Sequence, residues 1–278
     1  MKVMVTGSEG QLGKELIRLF SSKGHLIHSY SKAQLDITNQ ICVEKELSAV
    51  QPEVLINTAA CTQVDECETN RQQAYLVNSL GPYFLADALK GSKTQLLHLS
   101  TDYVFSGTQN VPYKEADLAL PNTIYGKSKK IGEDLVLATH AHAKVIRTSW
   151  LYGKEGKNFV YTMQRLAKTS DKIRVVHDQH GSPTCTKDLA LALYFLLSHP
   201  NGIYHMSNSG NCTWFEFAKE ILATCQAPNQ LIPVTTKKYG LKTPRPAYSV
   251  LDTAKIQQLG FSPRHWKDAL HDFLREGG

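Results

Sequence analysis

Tyr125-Gly126-Lys127-Ser128-Lys129 sets a phenol and an ammonium four residues apart. In a helix that spacing puts both side chains on one face, within mutual reach. A phenol titrates near pH ~10 and is a poor acid–base group at neutrality, but a nearby cation stabilises the phenolate and draws its pKa down. The pair therefore suits proton donation by Tyr125 to a ketone oxygen. Such a pair also arises by chance on many helices, so its meaning depends on what surrounds it. Upstream, the apolar run Leu96 to Leu99 leads into Ser100-Thr101-Asp102, which brings hydroxyls to a strand end. Alternation predicts that Ser100 and Thr101 point to opposite sides, one of them toward a substrate. Lys127 and Lys130 read as solvated neighbours.

A second constellation opens the chain. Val3-Met4-Val5-Thr6-Gly7-Ser8-Glu9-Gly10-Gln11-Leu12-Gly13 is an apolar strand, a glycine-rich turn and a helix start. Gly7 permits a tight turn, Gly10 lets backbone approach a pyrophosphate, and Gly13 allows close packing of helix on strand. The helix N-terminus then attracts phosphate. Glycines also serve ordinary turns, and Glu9 opposes a phosphate unless it points to water. The strand–turn–helix context favours a dinucleotide.

The end of the second strand selects which one. A carboxylate there accepts from the ribose 2'-hydroxyl of NAD. Here the place reads Ser29-Tyr30-Ser31-Lys32, hydroxyls and an ammonium that suit a 2'-phosphate. NADPH is the expected donor, with NADH as the alternative. Thr58-Ala59-Ala60 supplies small residues where a cofactor would lie against the strand ends.

These residues need a scaffold, and the pattern provides one. Apolar runs at Val3 to Thr6, Leu26 to Tyr30, Val54 to Thr58, Leu96 to Ser100 and Val145 to Ser149 alternate with helical stretches, clearest over Gln11 to Ser22, Arg71 to Leu89 and Asn122 to Thr139. The fold class is α/β: a Rossmann-type doubly wound parallel sheet with a smaller C-terminal substrate-binding lobe. After Trp150 come a helix at Asn158 to Ala167, a strand near Ile173 to Val176, a helix at Lys187 to Leu197 and a strand at Ile203 to Ser207. Beyond Asn208, prolines divide the chain around one clear helix, Thr213 to Ala223, with Thr213 as its N-cap. The expected division assigns 1–150 and 186–208 to the dinucleotide domain, and 151–185 and 209–278 to the lobe.

Composition excludes several classes. Hydrophobic residues at 42% and charged residues at 20% are those of an ordinary globular protein. A net charge of +6 is spread along the chain rather than gathered, which suits a small phosphorylated ligand and not nucleic acid. With a strand starting at Lys2 and no long apolar segment, neither a leader nor a membrane span is expected, and the default location is cytoplasmic. The six cysteines lack paired metal or disulfide spacing and read as reduced thiols, with no metal site.

Several strings together go further. Thr6 to Gly13, Asn57-Thr58-Ala59-Ala60 with Thr62 and Val64-Asp65, Ser100-Thr101-Asp102-Tyr103-Val104-Phe105 with Gly107, Tyr125 with Lys129, Arg147-Thr148-Ser149-Trp150-Leu151-Tyr152-Gly153, Gly181-Ser182-Pro183-Thr184, and Arg245-Pro246 with Ser249 and Leu251 resemble the dTDP-4-dehydrorhamnose reductase family of extended short-chain dehydrogenases/reductases. The resemblance spans nearly the whole chain and implies reduction of a dTDP-linked 4-keto-6-deoxyhexose by NAD(P)H. It implies that Thr101 hydrogen-bonds the keto oxygen, Tyr125 protonates it, and Lys129 holds the nicotinamide ribose. It assigns Asp102, Trp150 and Arg245 to the sugar nucleotide, and Gly10, Gln11, Leu12, Asp36, Ile37, Ala59 and Ala60 to the cofactor. Cys61 stands where the family more usually has an aromatic or imidazole ring, and Tyr248 where Asn is frequent. Lys187 replaces an acidic residue that in some relatives joins a metal-bridged dimer, so any homodimer is expected without that bridge. The competing readings are another nucleotide-sugar ketoreductase or epimerase, or a noncatalytic subunit that keeps the fold.

Overall fold

The computed structural model describes residues 1–277. Six parallel strands form the central sheet: β1 (Lys2–Thr6), β2 (Leu26–Tyr30), β3 (Val54–Asn57), β4 (Gln95–Thr101), β5 (Ala143–Thr148) and, after other elements, β10 (Gly202–His205). Their order across the sheet is β10-β5-β4-β3-β1-β2, so the winding reverses between β1 and β3. At such a switch point the connections leave in opposite directions and open a crevice at the strands' carboxyl ends.

Alternation along the strands builds two cores. Val3, Val5, Val54, Ile56, Leu97 and Leu99 face α1 (Gln11–Ser22) and, from later in the chain, α8 (Thr186–Leu196). Met4, Leu55 and Leu96 face the other side, where they meet α2 (Gln40–Val50), α5 (Gly81–Ala88) and α6 (Ile124–Thr139). Burial on both faces is why these strands read as apolar runs rather than alternating ones. Between β3 and α5 lie α3 (Val64–Thr69) and α4 (Arg71–Tyr75). The stretch expected as one helix from Arg71 carries a π-helical turn at Leu76–Leu80 before it continues as α5.

The rest of the chain makes a second cluster of apolar side chains. It joins β6 (Leu151–Tyr152), α7 (Phe159–Thr169), β7 (Lys172–Val176), β8 (His180–Gly181), β9 (Thr184–Cys185), β11 (Cys212–Thr213), α9 (Trp214–Thr224), β12 (Gln230–Val234) and, after α10 (Thr236–Tyr239) and α11 (Ala254–Gln258), α12 (Trp266–Arg275). Thr213 caps α9 in a full capping box with Glu216, as its position predicts. Two findings differ from the sequence reading. The terminal region holds a further long helix, α12, which buries Trp266, Ala269, Leu270 and Phe273 at helical spacing. Ile256 of α11 packs in the core beside the sheet, with Leu259 and Phe261 against it, so this segment crosses back from the lobe. Among the described residues no helix is long and apolar enough to cross a membrane.

Candidate active site

The glycine turn after β1 is shaped by close approach. Gly7 has φ +71°, and a Cβ there would stand 2.7 Å from the Ala59 nitrogen; a Cβ on Gly13 would stand 2.4 Å from the Gly7 oxygen. Side chains are therefore excluded from the turn. Gly10 is the N-cap of α1, with no side-chain cap and no acidic residue in the first turn, so the leading N–H groups of a 12-residue helix keep their donor capacity. That is the polarity a phosphate requires. Glu9 is exposed and also lines the recess and the cleft described below.

Around this turn a recess of about 380 Å³ is lined by Gly7, Gly10, Lys32, Asp36, Ile37, Ala59, Ala60 and Cys61, among others. Of the three residues expected at the end of β2, only Lys32 lines it. The Tyr30 hydroxyl donates to Glu46 on α2 at 2.9 Å, and the Ser31 carbonyl accepts the Gln34 and Leu35 N–H groups. Strand alternation and the tight turn that follows commit those two to local structure. Tyr30 and Ser31 are not brought to the recess.

The recess continues past Gly10 into a cleft of about 540 Å³, whose walls include Gln11, Leu12, Gly13, Thr101, Asp102, Tyr125, Lys129 and Trp150. Both Ser100 and Thr101 line it, because the strand ends there and the chain turns into a 3-10 turn at Asp102–Val104. Strict alternation does not survive that turn. Three buried polar atoms on this wall, Ser100 Oγ, Asp102 Oδ2 and Thr148 Oγ1, have no hydrogen-bond partner of good geometry. Buried polar groups are nearly always satisfied, so this cluster marks a surface made for a polar ligand.

Helix α6 carries the expected pair, and a buried ion pair fixes its position. Arg147 on β5 donates to Glu133 on α6 through Nε at 2.9 Å and Nη2 at 2.7 Å, both side chains being sequestered. Tyr125 is half-buried, and burial pushes its phenol up, opposed by a hydrogen bond with Thr101. The expectation that Lys129 lowers this pKa is not what the geometry gives. Lys129 Nζ donates to the Leu99 carbonyl at 2.5 Å and meets His98 Nε2 at 3.3 Å, so its charge is turned toward β4. Burial draws the ammonium down to about 8, with Glu133 opposing.

His98 belongs to a buried chain that reasoning from sequence missed. Asn57 Oδ1 accepts from the Ala59 N–H at 3.1 Å and the Thr6 hydroxyl at 2.8 Å, which leaves Asn57 Nδ2 to donate to His98 Nδ1 at 3.0 Å. His98 is fully buried and its pKa is lowered by burial first and by Lys129 second.

Asp102 is 2% exposed; burial pushes its carboxyl up to about 6, against the stabilising hydroxyls of Ser249 and Thr101. The Thr101 hydroxyl donates to Asp102 Oδ1 at 3.0 Å. Trp150 has a left-handed backbone, φ +46°, and its indole stacks on Trp214 with centroids 3.6 Å apart and planes 8° from parallel. Trp214 also lines the cleft and was not singled out by sequence. Arg245 lies outside this lining, in a neighbouring recess that shares Tyr103, where it binds Asp65 at 2.9 Å and the Thr243 carbonyl at 3.0 Å. Lys187 pairs with Glu276 at 2.8 Å.

The family model described as the RmlD substrate binding domain matches residues 1–277. A spore coat polysaccharide biosynthesis protein, SpsK, of Bacillus subtilis is 48% identical over 99% of this chain and 97% of its own. A dTDP-4-dehydrorhamnose reductase of Streptomyces griseus is 41% identical over 96% of this chain and 91% of its own. Among solved structures, a dTDP-4-dehydrorhamnose reductase of Bacillus anthracis in complex with NADP superposes with a TM-score of 0.96 at 39% identity, covering 99% of each chain.

Proposed function

The chain belongs to the dTDP-4-dehydrorhamnose reductase family, and from that premise we propose that it reduces the 4-keto group of dTDP-4-dehydro-L-rhamnose to give dTDP-L-rhamnose, with NADPH as donor. The observation that carries this reading is the convergence of Thr101, Tyr125, Lys129 and three unpartnered buried polar atoms on one cleft, continuous with the glycine-turn recess.

The residues fit the dinucleotide: the uncapped start of α1 for the pyrophosphate, Lys32 for the 2'-phosphate, Asp36, Ile37, Ala59 and Ala60 along the adenosine side, and Lys129 for the nicotinamide ribose. Bound there, NADPH supplies the hydride that the carbonyl carbon needs. Tyr125, held protonated by burial, gives its proton to the keto oxygen as charge develops on it. Thr101 exchanges its bond to Asp102 for one to the same oxygen, and the released carboxylate accepts a sugar hydroxyl at Oδ2.

The test is to mix the protein with the dTDP-keto sugar and NADPH or NADH, follow loss of the reduced nicotinamide signal, and identify the product sugar. Turnover yielding dTDP-L-rhamnose supports the reading. Absence of oxidation with either donor overturns it, and a product of the other C4 configuration moves the chain to a neighbouring nucleotide-sugar ketoreductase activity.

A further inference from the structure

Just after β3, two cysteines lie closer than packing requires. Cys61 and Cys67 are free thiols whose sulfurs stand 3.4 Å apart. Cys67, in α3, is fully buried with Ala74 and Ile124, and Tyr125 packs against the same cluster. Cys61 is half-buried and lines the cofactor recess beside Ala59 and Ala60. One thiol is thus reachable from the groove, and the other stands behind it.

Cys61 is also wired to the catalytic helix. Its N–H donates to Asn78 Oδ1 at 2.8 Å and its carbonyl accepts from Asn78 Nδ2 at 3.0 Å. The same Nδ2 donates to Ser128 Oγ at 3.1 Å, and that hydroxyl donates to the Tyr125 carbonyl at 2.9 Å. Asn78 sits in the π-helical turn, whose irregular backbone places it between the two elements. A shift at Cys61 is carried to the turn that separates Tyr125 from Lys129.

We propose that Cys61 and Cys67 form a redox-active dithiol, in which a hydroperoxide entering the cofactor recess oxidises Cys61 and Cys67 then closes a disulfide beneath Tyr125, switching the reductase off. This rests on the reading of the recess as the dinucleotide site and of Tyr125 as the proton donor. In the first step the Cys61 sulfur attacks a peroxide oxygen and the O–O bond breaks, giving a sulfenic acid and, from hydrogen peroxide, water. In the second the Cys67 sulfur attacks the Cys61 sulfur, the S–O bond breaks, and the leaving hydroxide takes the Cys67 proton as a second water. Two thiols lose two electrons and two protons, and peroxide is reduced to two waters. The sulfurs must close from 3.4 Å to about 2.05 Å, a movement that draws Cys61 off the recess wall and strains its bonds to Asn78. Burial, with Cys61 as neighbour, pushes the Cys67 thiol up to about 12, which with its place behind Cys61 makes it the resolving thiol and not the one that attacks peroxide.

The experiment uses the reduced full-length protein with hydrogen peroxide as the probe. Peptide mass mapping reads the cross-link, because Cys42 and Cys225 are exposed and consume oxidant too. A Cys61–Cys67 peptide lighter by about 2 Da should form while turnover falls at least fivefold in step with it. Dithiothreitol should restore both, and saturating NADPH should slow the loss. Cys67→Ala should stop at a Cys61 sulfenic acid trapped by dimedone, which keeps the chemistry readable even where that variant turns over poorly. Absence of the cross-link, or a cross-linked enzyme that retains more than a fifth of its rate, overturns the proposal. NADPH binding to the reduced protein tests the recess separately: its failure would sink the dinucleotide reading, whereas mass mapping reports on the thiols regardless.

Discussion

Tyr125 is the residue on which the chemistry turns, and its phenol has one proton to give. Tyr125→Phe removes that proton and little else, because the ring still packs edge-on against Tyr103 at 5.5 Å. Turnover should fall by roughly 10²- to 10⁴-fold, the usual worth of a positioned acid, while NADPH affinity measured by fluorescence stays within twofold. Rates near wild type would reassign the acid. Two neighbours set the pH limits. Asp102 accepts a sugar hydroxyl most strongly when ionised, so kcat/KM should decline as pH falls through about 6, and Asp102→Asn should flatten that limb at a lower plateau. Lys129 grips the nicotinamide ribose most strongly as an ammonium, so the rate should decline again as pH rises through about 8. A profile without that alkaline limb would mean the ammonium is not needed in its charged form. Lys32 is the single residue of its segment that reaches the recess, so Lys32→Ala should weaken NADPH binding about tenfold, on the scale of one charge-assisted bond, and leave NADH unchanged. Equal effects on both donors would remove the 2'-phosphate contact.

At the scale of elements, what was legible in the sequence follows from how local each signal is. The strands β1 to β5, the helix α1 and the N-cap of α9 announce themselves through runs, periodicity and capping chemistry contained in a few residues. Helix α12 carries an equally clear spacing in Trp266, Ala269, Leu270 and Phe273, but the prolines before it masked the pattern. The candidate site was legible where a motif is contiguous, as at Thr101, Tyr125 and Lys129. It was not where partners meet only after folding: His98 against Lys129, Asn57 against His98, and Trp214 against Trp150. The last pair links the turn between β5 and β6 to α9. The left-handed backbone of Trp150 needs support, and Trp214 supplies it by covering one indole face, while Gly181 leaves room where a Cβ would stand 2.4 Å from the ring. Trp214→Ala should raise KM for the sugar nucleotide by about 2- to 10-fold, the worth of one aromatic pair, with kcat little changed. It should also abolish the paired-indole signal in circular dichroism, and Trp214→Phe should recover much of the KM. Loss of the optical signal with an unaltered KM would confine the stack to packing.

The whole molecule brings two separately cored regions together over one cleft, and Arg245 is one of the residues through which they touch. Its guanidinium reaches 180 positions back to Asp65, just after β3, and the Asp65 carboxyl is held low by Thr243 first and by Arg245 after it. The pair leaves the sugar-nucleotide role expected of Arg245 in competition with a carboxylate. Asp65 is 53% exposed on its side chain, so the partnership is screened by water and is weak enough to exchange for a diphosphate. The two roles predict opposite behaviour in a double-mutant cycle. If Arg245 turns to the ligand, Arg245→Ala should raise KM for the dTDP-sugar about tenfold or more, as loss of a charged hydrogen bond does, and Asp65→Asn should lower KM by releasing the guanidinium. If Arg245 serves only to tie the lobe to the sheet, both variants should lower the melting temperature alike and leave KM where it was. Steady-state kinetics and thermal unfolding of the two single variants and the double variant separate these outcomes. A KM that falls in Asp65→Asn but not in the double variant would place Arg245 on the substrate.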